Sequence, residues 1–158
     1  KLDFPLIIVG DGPEKEKLKK IADKNITFLG KTTNNSIEKL MSQCRAFVHS
    51  GVEDFGIAPV EAIASGAPVI GLAKGGLLDS VNCLKNSSNN LVPTGILFNK
   101  QDPSYIVDTI RWFEDKKVWK NFNAEEMNAF SRKFNPENFN KKINEFIQKS
   151  WENFSKNY

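Results

Sequence analysis

Glu53 and Glu61 lie eight positions apart in the stretch Glu53-Asp-Phe-Gly-Ile-Ala-Pro-Val-Glu61. A glycine and a proline separate them. Carboxylates accept hydrogen bonds from sugar or ribose hydroxyls, and the free N–H groups of a helix start suit a phosphate or diphosphate. On one continuous helix, eight residues turn about 800° and leave the two carboxylates about 80° apart. Pro59 argues against a single helix, because it lacks an N–H and fits the first helical turn. Glu53 is therefore expected in a loop and Glu61 in the first turn of a helix starting near Pro59. Phe55, Gly56 and Ile57 would then present unpaired N–H groups at its positive end. A plainer reading of Glu61 stays open: a first-turn glutamate that only favours the dipole.

Other residues carry weaker signals. Gly10-Asp-Gly-Pro13 lacks the third glycine of the dinucleotide fingerprint. A tight strand-to-helix turn capped by Asp11 outweighs ligand contact there. Gly75-Gly76, after Lys74, serves equally as a turn or as a place where backbone approaches a ligand. His49 is the only histidine, and a core or rim histidine outweighs a catalytic base. One histidine excludes a zinc-protease site or a Ser–His–Asp triad within the chain. Asp54-Phe-Gly56 matches a kinase tripeptide, but no matching catalytic loop precedes it.

These residues need a scaffold, and the apolar pattern supplies one. Leu6–Val9 reads as a central strand buried on both faces, followed by a helix from Pro13 through Lys15 to Asp23. Strands follow at 26–29, 46–49, 68–71 and 95–98. Helices are expected over 36–43, from Pro59 to before Gly66, over 77–83, and from Pro103 to about Phe113. Asn86 to Asn90 reads as a polar loop. Two more helices, 124–134 and 136–154, close the chain. In the last, Phe139, Ile143, Phe146, Ile147, Trp151 and Phe154 form a helical stripe, read first as core packing and second as a docking face for another domain. Strands alternating with helices indicate right-handed crossovers and a Rossmann-like parallel sheet with helices on both faces, an α/β class. Ligands in such sheets bind outside the carboxyl ends of the strands. The loops after Val9, Leu29, His49 and Leu72 are the candidate site.

Length and composition set the outer bounds. The 158 residues suit one domain, 1–158, with a core over 6–115 and closing helices over 120–155. Apolar residues make up 40% and charged residues 26%, as in globular proteins. The net charge of +3 is spread among mixed signs, which favours an ordinary solvated surface over a nucleic-acid stripe. No apolar run is long enough for a membrane helix. Cys44 and Cys83 are too far apart for a zinc knuckle and read as buried, reduced thiols of a cytosolic protein. The chain enters its first strand almost at once, as an excised piece of a longer protein would.

Taken in order, several pieces resemble the C-terminal, donor-binding half of family 4 glycosyltransferases of the GT-B architecture. They are Val9-Gly-Asp-Gly-Pro13, Phe28-Leu-Gly30, Ser50 with Glu53-Asp-Phe-Gly-Ile57, Pro59-Val-Glu-Ala62, Gly66-Ala-Pro-Val-Ile70, Gly75-Gly76 and Gly95. Each is weak alone, and the ordered set is specific.

The resemblance implies retaining transfer of a hexose from a nucleotide-diphosphate sugar, with no obligatory metal or other cofactor, to a glycan or lipid-linked acceptor. Glu53 would help stabilise oxocarbenium charge. Phe55, Gly56 and Ile57 would contact sugar or diphosphate through their backbone, and Glu61 would bind ribose hydroxyls. Gly30 and Lys31 would approach the base. Gly10 and Gly12 would line the cleft, with Ser50, Gly75 and Gly76 in the same donor site. Glu-Asp-Phe-Gly-Ile with Lys-Gly-Gly resembles bacterial mannosyltransferases of polysaccharide assembly, so GDP-mannose is the first donor expected and a UDP-sugar the second. A cationic Arg and Lys that grip the diphosphate, and an N-terminal acceptor-binding domain, would lie upstream of Lys1. The piece alone is expected to be inactive, and cytoplasmic or at the inner membrane face, with any membrane contact peripheral. Leu78 and Asp79 depart from the Pro-Glu commoner in that loop. The alternatives are a GT-B epimerase or hydrolase, and a binding module without chemistry.

Overall fold

The computed structural model describes residues 1–86 and 91–156. Five strands alternate with helices: β1 (Leu6–Val9), α1 (Lys15–Ile21), β2 (Ile26–Gly30), α2 (Asn34–Gln43), β3 (Phe47–His49), α3 (Ile57–Ala64), β4 (Val69–Leu72), α4 (Leu77–Ser80), β5 (Gly95–Phe98) and α5 (Pro103–Asp115). After a 3-10 turn at Val118–Asn121 come α6 (Ala124–Ser131), a second such turn at Arg132–Phe134, and α7 (Pro136–Lys156). All strand pairs are parallel, so the α/β class holds. The expected polar loop at 87–90 lies outside the described residues, and Asn86 ends a 3-10 turn begun at Leu84.

The strands form two hydrogen-bonded sheets, β1-β2 and β3-β4-β5. β4 is the buried centre of the second, and its alternation splits the core. Val69 faces Ala62, Ile63, Leu77 and Met127 of α3, α4 and α6. Ile70 and Leu72 face Ile96, Phe98, Phe113 and Val118. Helices therefore cover both faces of this sheet.

α5 forms where its sequence directs. Asp102 caps it by accepting the Ser104 N–H at 2.8 Å, and Pro103 opens the first turn. Ile106, Ile110 and Phe113 then fall on one face, and Phe113 is fully buried. Asn123 caps α6 in the same way, accepting from Glu125 N–H and Glu126 N–H.

Several expectations need correction. β1 is not buried on both faces: Leu6, Ile7 and Val9 remain exposed, because among the described residues only β2 pairs with the strand and α1 buries no side chain. α1 begins at Lys15 rather than Pro13, and the helix after Gly76 stops at Ser80. The apolar stripe of α7 does not enter the core. That helix buries none of its residues, and Phe139, Phe146, Ile147, Trp151 and Phe154 are exposed. Cys44 is exposed as a residue, with its thiol turned back to donate to the Met41 carbonyl at 3.3 Å; desolvation there pushes the thiol pKa up. Cys83 is half-buried. No described helix is long and apolar enough to cross a membrane.

Candidate functional site

Loops at the carboxyl ends of β3, β4 and β5 are tied together by two backbone contacts and one side-chain hydrogen bond. The Gly76 N–H donates to the Glu53 carbonyl at 2.7 Å, and Glu53 and Gly75 form an isolated parallel bridge. Gln101, from the loop after β5, donates its side-chain amide to the Ser50 carbonyl at 3.0 Å. These bonds fix the course of 50–56, the segment that carries Glu53.

Gly75 and Gly76 make this approach possible. A Cβ on Gly76 would meet the Phe55 Cα and carbonyl oxygen and the Asp54 carbonyl oxygen. A Cβ on Gly75 would run into the Glu53 carbonyl oxygen, and its φ of +63° also disfavours a side chain. The pair packs backbone on backbone beneath the loop.

α3 starts at Ile57, two residues before Pro59. Gly56 turns the chain in with a left-handed φ of 86°. Pro59 is tolerated as the third helical residue, where its missing N–H would have no intrahelical acceptor. Glu61 is therefore the fifth residue of α3 rather than a first-turn residue. The first helical bond runs from the Val60 N–H to the Gly56 carbonyl. The N–H groups of Phe55, Gly56, Ile57 and Ala58 have no backbone acceptor among the described residues. Such amides at a helix start form a positive, donor-rich edge. Glu53, four residues before Ile57, and Glu61, the fifth residue of α3, are both exposed.

Glu53 has one basic side chain within 4.0 Å among the described residues: His49, whose Nε2 lies 3.7 Å from its Oε1. His49 ends β3 and lies stacked on Phe47. Phe55 is half exposed and meets Phe134 edge-on, Phe134 meets Phe130 in the same manner, and the Lys133 ammonium lies over both of the latter rings. Desolvation among these rings, then repulsion from Lys142, lowers the Lys133 pKa.

A second cluster forms after β1 and β2. The Gly10 N–H donates to the Gly30 carbonyl at 2.8 Å. Lys15 reaches Asp11 at 3.2 Å, and its Nζ lies 3.1 Å from where a Gly30 Cβ would stand. Asp11 also accepts from the Gly12 N–H rather than capping α1. The Lys15 hydrogen bond, with the Gly12 N–H second, holds the Asp11 carboxyl below its usual range. Lys31 is exposed at the rim. No hydrogen bond or ion pair among the described residues joins this cluster to the one around Glu53. Lys15, Gln101 and Phe134 escaped sequence reasoning. Lys15 alone left a signal: a lysine one turn after a Gly-Asp-Gly strand end.

A shallow hollow lined by Asn35, Glu38, Ser65 and Asn128 lies at the other end of α3. It holds no constellation of catalytic type. No group of three His, Cys, Asp or Glu among the described residues could hold a metal ion.

Comparison with known proteins places the chain in a family. The chain is 40% identical over 81 residues to a GDP-mannose-dependent alpha-mannosyltransferase of Corynebacterium glutamicum, a match covering 51% of the chain and 19% of that protein. It is 29% identical over 149 residues to an alpha-1,3/1,6-mannosyltransferase of Kluyveromyces lactis, covering 87% of the chain and 29% of that protein. Among solved structures it is similar to an Anabaena protein crystallised with UDP and glucose, with a TM-score of 0.70, 22% identity, and coverage of 91% of the chain and 40% of the other. Sucrose-phosphate synthase of Thermosynechococcus elongatus aligns with a TM-score of 0.72 at 21% identity, covering 92% of the chain and 38% of the other. Those two likenesses establish the GT-B type of fold. The chain thus spans less than half the length of these relatives. The family model for glycosyl transferases group 1 matches residues 1–135, and the chain belongs to that family.

Proposed function

We propose that this chain is the donor-binding half of a retaining family 4 glycosyltransferase. It would take a hexose, mannose first, from a nucleotide-diphosphate sugar and pass it to a glycan or lipid-linked acceptor. The observation that carries this reading is the Glu53 loop: an acidic residue whose backbone is tied to Gly76, in the segment that leads into the unpaired amides at the start of α3. The amides of Phe55, Gly56 and Ile57 receive the diphosphate or sugar. Glu53 stabilises positive charge developing at the transferred sugar, and a preorganised charge of this kind is a large catalytic contribution. Glu61 binds ribose hydroxyls from the next turn. Gly10, Gly12, Gly30, Lys31, Ser50, Gly75 and Gly76 shape the rest of the donor site.

GDP-mannose is the first donor, supported by similarity to a protein named as GDP-mannose-dependent. UDP-sugars are the second, since the Anabaena neighbour was crystallised with UDP and glucose. We place the protein in the cytoplasm or at the inner face of the membrane. A further domain would bind the acceptor, and the present residues alone would turn over little donor.

The experiment is turnover by the full-length protein, with GDP-mannose and UDP-glucose as donors. Glu53→Ala should lower kcat by about 10²–10³-fold. Glu61→Ala should raise the donor KM by about 10-fold, the loss of one charge-assisted hydrogen bond. Wild-type turnover in both variants would sink the assignment. A thermal-shift panel of nucleotide sugars separates this reading from a binding module without chemistry or a fold-mate acting as epimerase or hydrolase.

A further inference from the structure

We infer that His49 is a positioning residue for Glu53: its Nε2–H donates to one Glu53 carboxylate oxygen and leaves the other aimed at the donor. The inference rests on the reading of Glu53 given above.

The ring of His49 is fixed from several sides. It ends β3, where its backbone pairs with Gly71 of the buried strand β4. It stacks almost parallel to Phe47, with an interplanar angle of 12°. Gly51 leaves room for it, since a Cβ there would stand 3.3 Å from Nε2. Nε2 is shielded from solvent and has no hydrogen-bond partner. A buried polar nitrogen left without a partner costs free energy, and native structures seldom leave one. The acceptor nearest to hand is Glu53 Oε1, at 3.7 Å. A hydrogen bond needs roughly 3 Å. The Glu53 side chain is half exposed and free to turn, whereas the imidazole is packed. Closure therefore moves the carboxylate toward the ring.

The consequence is geometric. The Glu53 backbone is already held through its carbonyl by Gly76. A bond from His49 would fix the remaining side-chain torsions, which holds a charged group within the narrow range productive chemistry needs. A histidine that only fills the rim of the sheet would have no such effect.

The test is a double-mutant cycle in the full-length protein, reading nucleoside-diphosphate release from GDP-mannose and UDP-glucose. His49→Phe keeps the ring and its stacking but removes the donor. His49→Gln sets an amide N–H near the position of Nε2. We expect His49→Phe to lower kcat by about 10–100-fold with donor KM within about twofold, and His49→Gln to recover most of that loss. In a Glu53→Ala background, His49→Phe should change kcat by less than about twofold. Equal losses in both backgrounds, unchanged kcat in His49→Phe, or equal losses for Phe and Gln would each overturn the inference.

A second readout does not depend on turnover. His49 is the only histidine of these 158 residues, and in the full-length protein labelled on histidine its imidazole signals are assigned as those lost in His49→Gln. A hydrogen-bonded Nε2–H proton should be visible in the wild type saturated with GDP or UDP and absent in Glu53→Ala. Its absence from the wild type overturns the contact, including where His49→Phe fails to fold. Wild-type turnover in Glu53→Ala would instead defeat the reading of Glu53 itself, and the spectrum would still report whether the two side chains meet.

Discussion

Phe134 stands edge-on to Phe55, with ring centroids 5.6 Å apart and planes crossing at 78°. The contact joins the short turn before α7 to the loop that carries Glu53. Edge-to-face pairs contribute about 0.5–1.5 kcal/mol beyond the area they bury. Phe134→Ala should therefore reduce stability by about 1–2 kcal/mol and weaken donor binding more than stability alone explains. Urea denaturation and nucleotide titration on the same variant check this. Unchanged donor affinity would show that the loop holds its shape without the ring.

Gly76→Ala probes the backbone approach beneath that loop. An alanine Cβ would collide with the Phe55 backbone, which no side-chain rotation can relieve. The loop must move, breaking the bond from the Gly76 N–H to the Glu53 carbonyl. We expect a loss of about 1–3 kcal/mol for a displaced, desolvated backbone pair, with turnover falling by more than tenfold. Full activity with unchanged melting temperature would contradict the packing described.

Asp11 gives a pH test. Its carboxyl titrates below the ordinary value of 3.8, chiefly because Lys15 donates to it. A depressed folded value means that ionised Asp11 favours the folded state above the ordinary carboxyl range. That contribution disappears as pH falls through the lowered value. Lys15→Met should return the Asp11 titration toward 3.8, followed by carboxyl carbon NMR. An unmoved titration would remove Lys15 as the cause.

Phe113 is the core test on the far face of β4. It is 1% exposed and packs with Ile70, Leu72, Ile96 and Phe98. Phe113→Ala should cost about 3–5 kcal/mol through lost burial and a residual cavity. A loss under about 1 kcal/mol in chemical denaturation would mean that the site collapses around the gap.

Local chemistry made much of this fold legible. Pro103 marks the start of α5, a helix expected from 124 begins there as α6, and the strand expected at 68–71 forms as Val69–Leu72. What stayed hidden depends on neighbours. The run Leu6–Val9 reads as a central strand, yet its burial is decided by what lies beside it, and among the described residues only β2 pairs with it. Pro59 marks the right helix but not its first residue, because Gly56 can turn the chain in earlier. Phe134 meets Phe55 across a long stretch of chain, and no period or spacing encodes that contact. The Glu53 loop could be picked out from its residue types, but the bonds from Gly76 and Gln101 that hold it needed three strand ends brought side by side.

α7 gives this protein a region with its own stability. None of its 21 residues is buried, and its main support is the Arg132–Phe134 turn, where the Asn138 amide donates to the Arg132 carbonyl. Its backbone amides are therefore protected by the helix itself rather than by the core. They should exchange with solvent deuterium through local opening, long before those of β4, whose release requires the whole sheet to unfold.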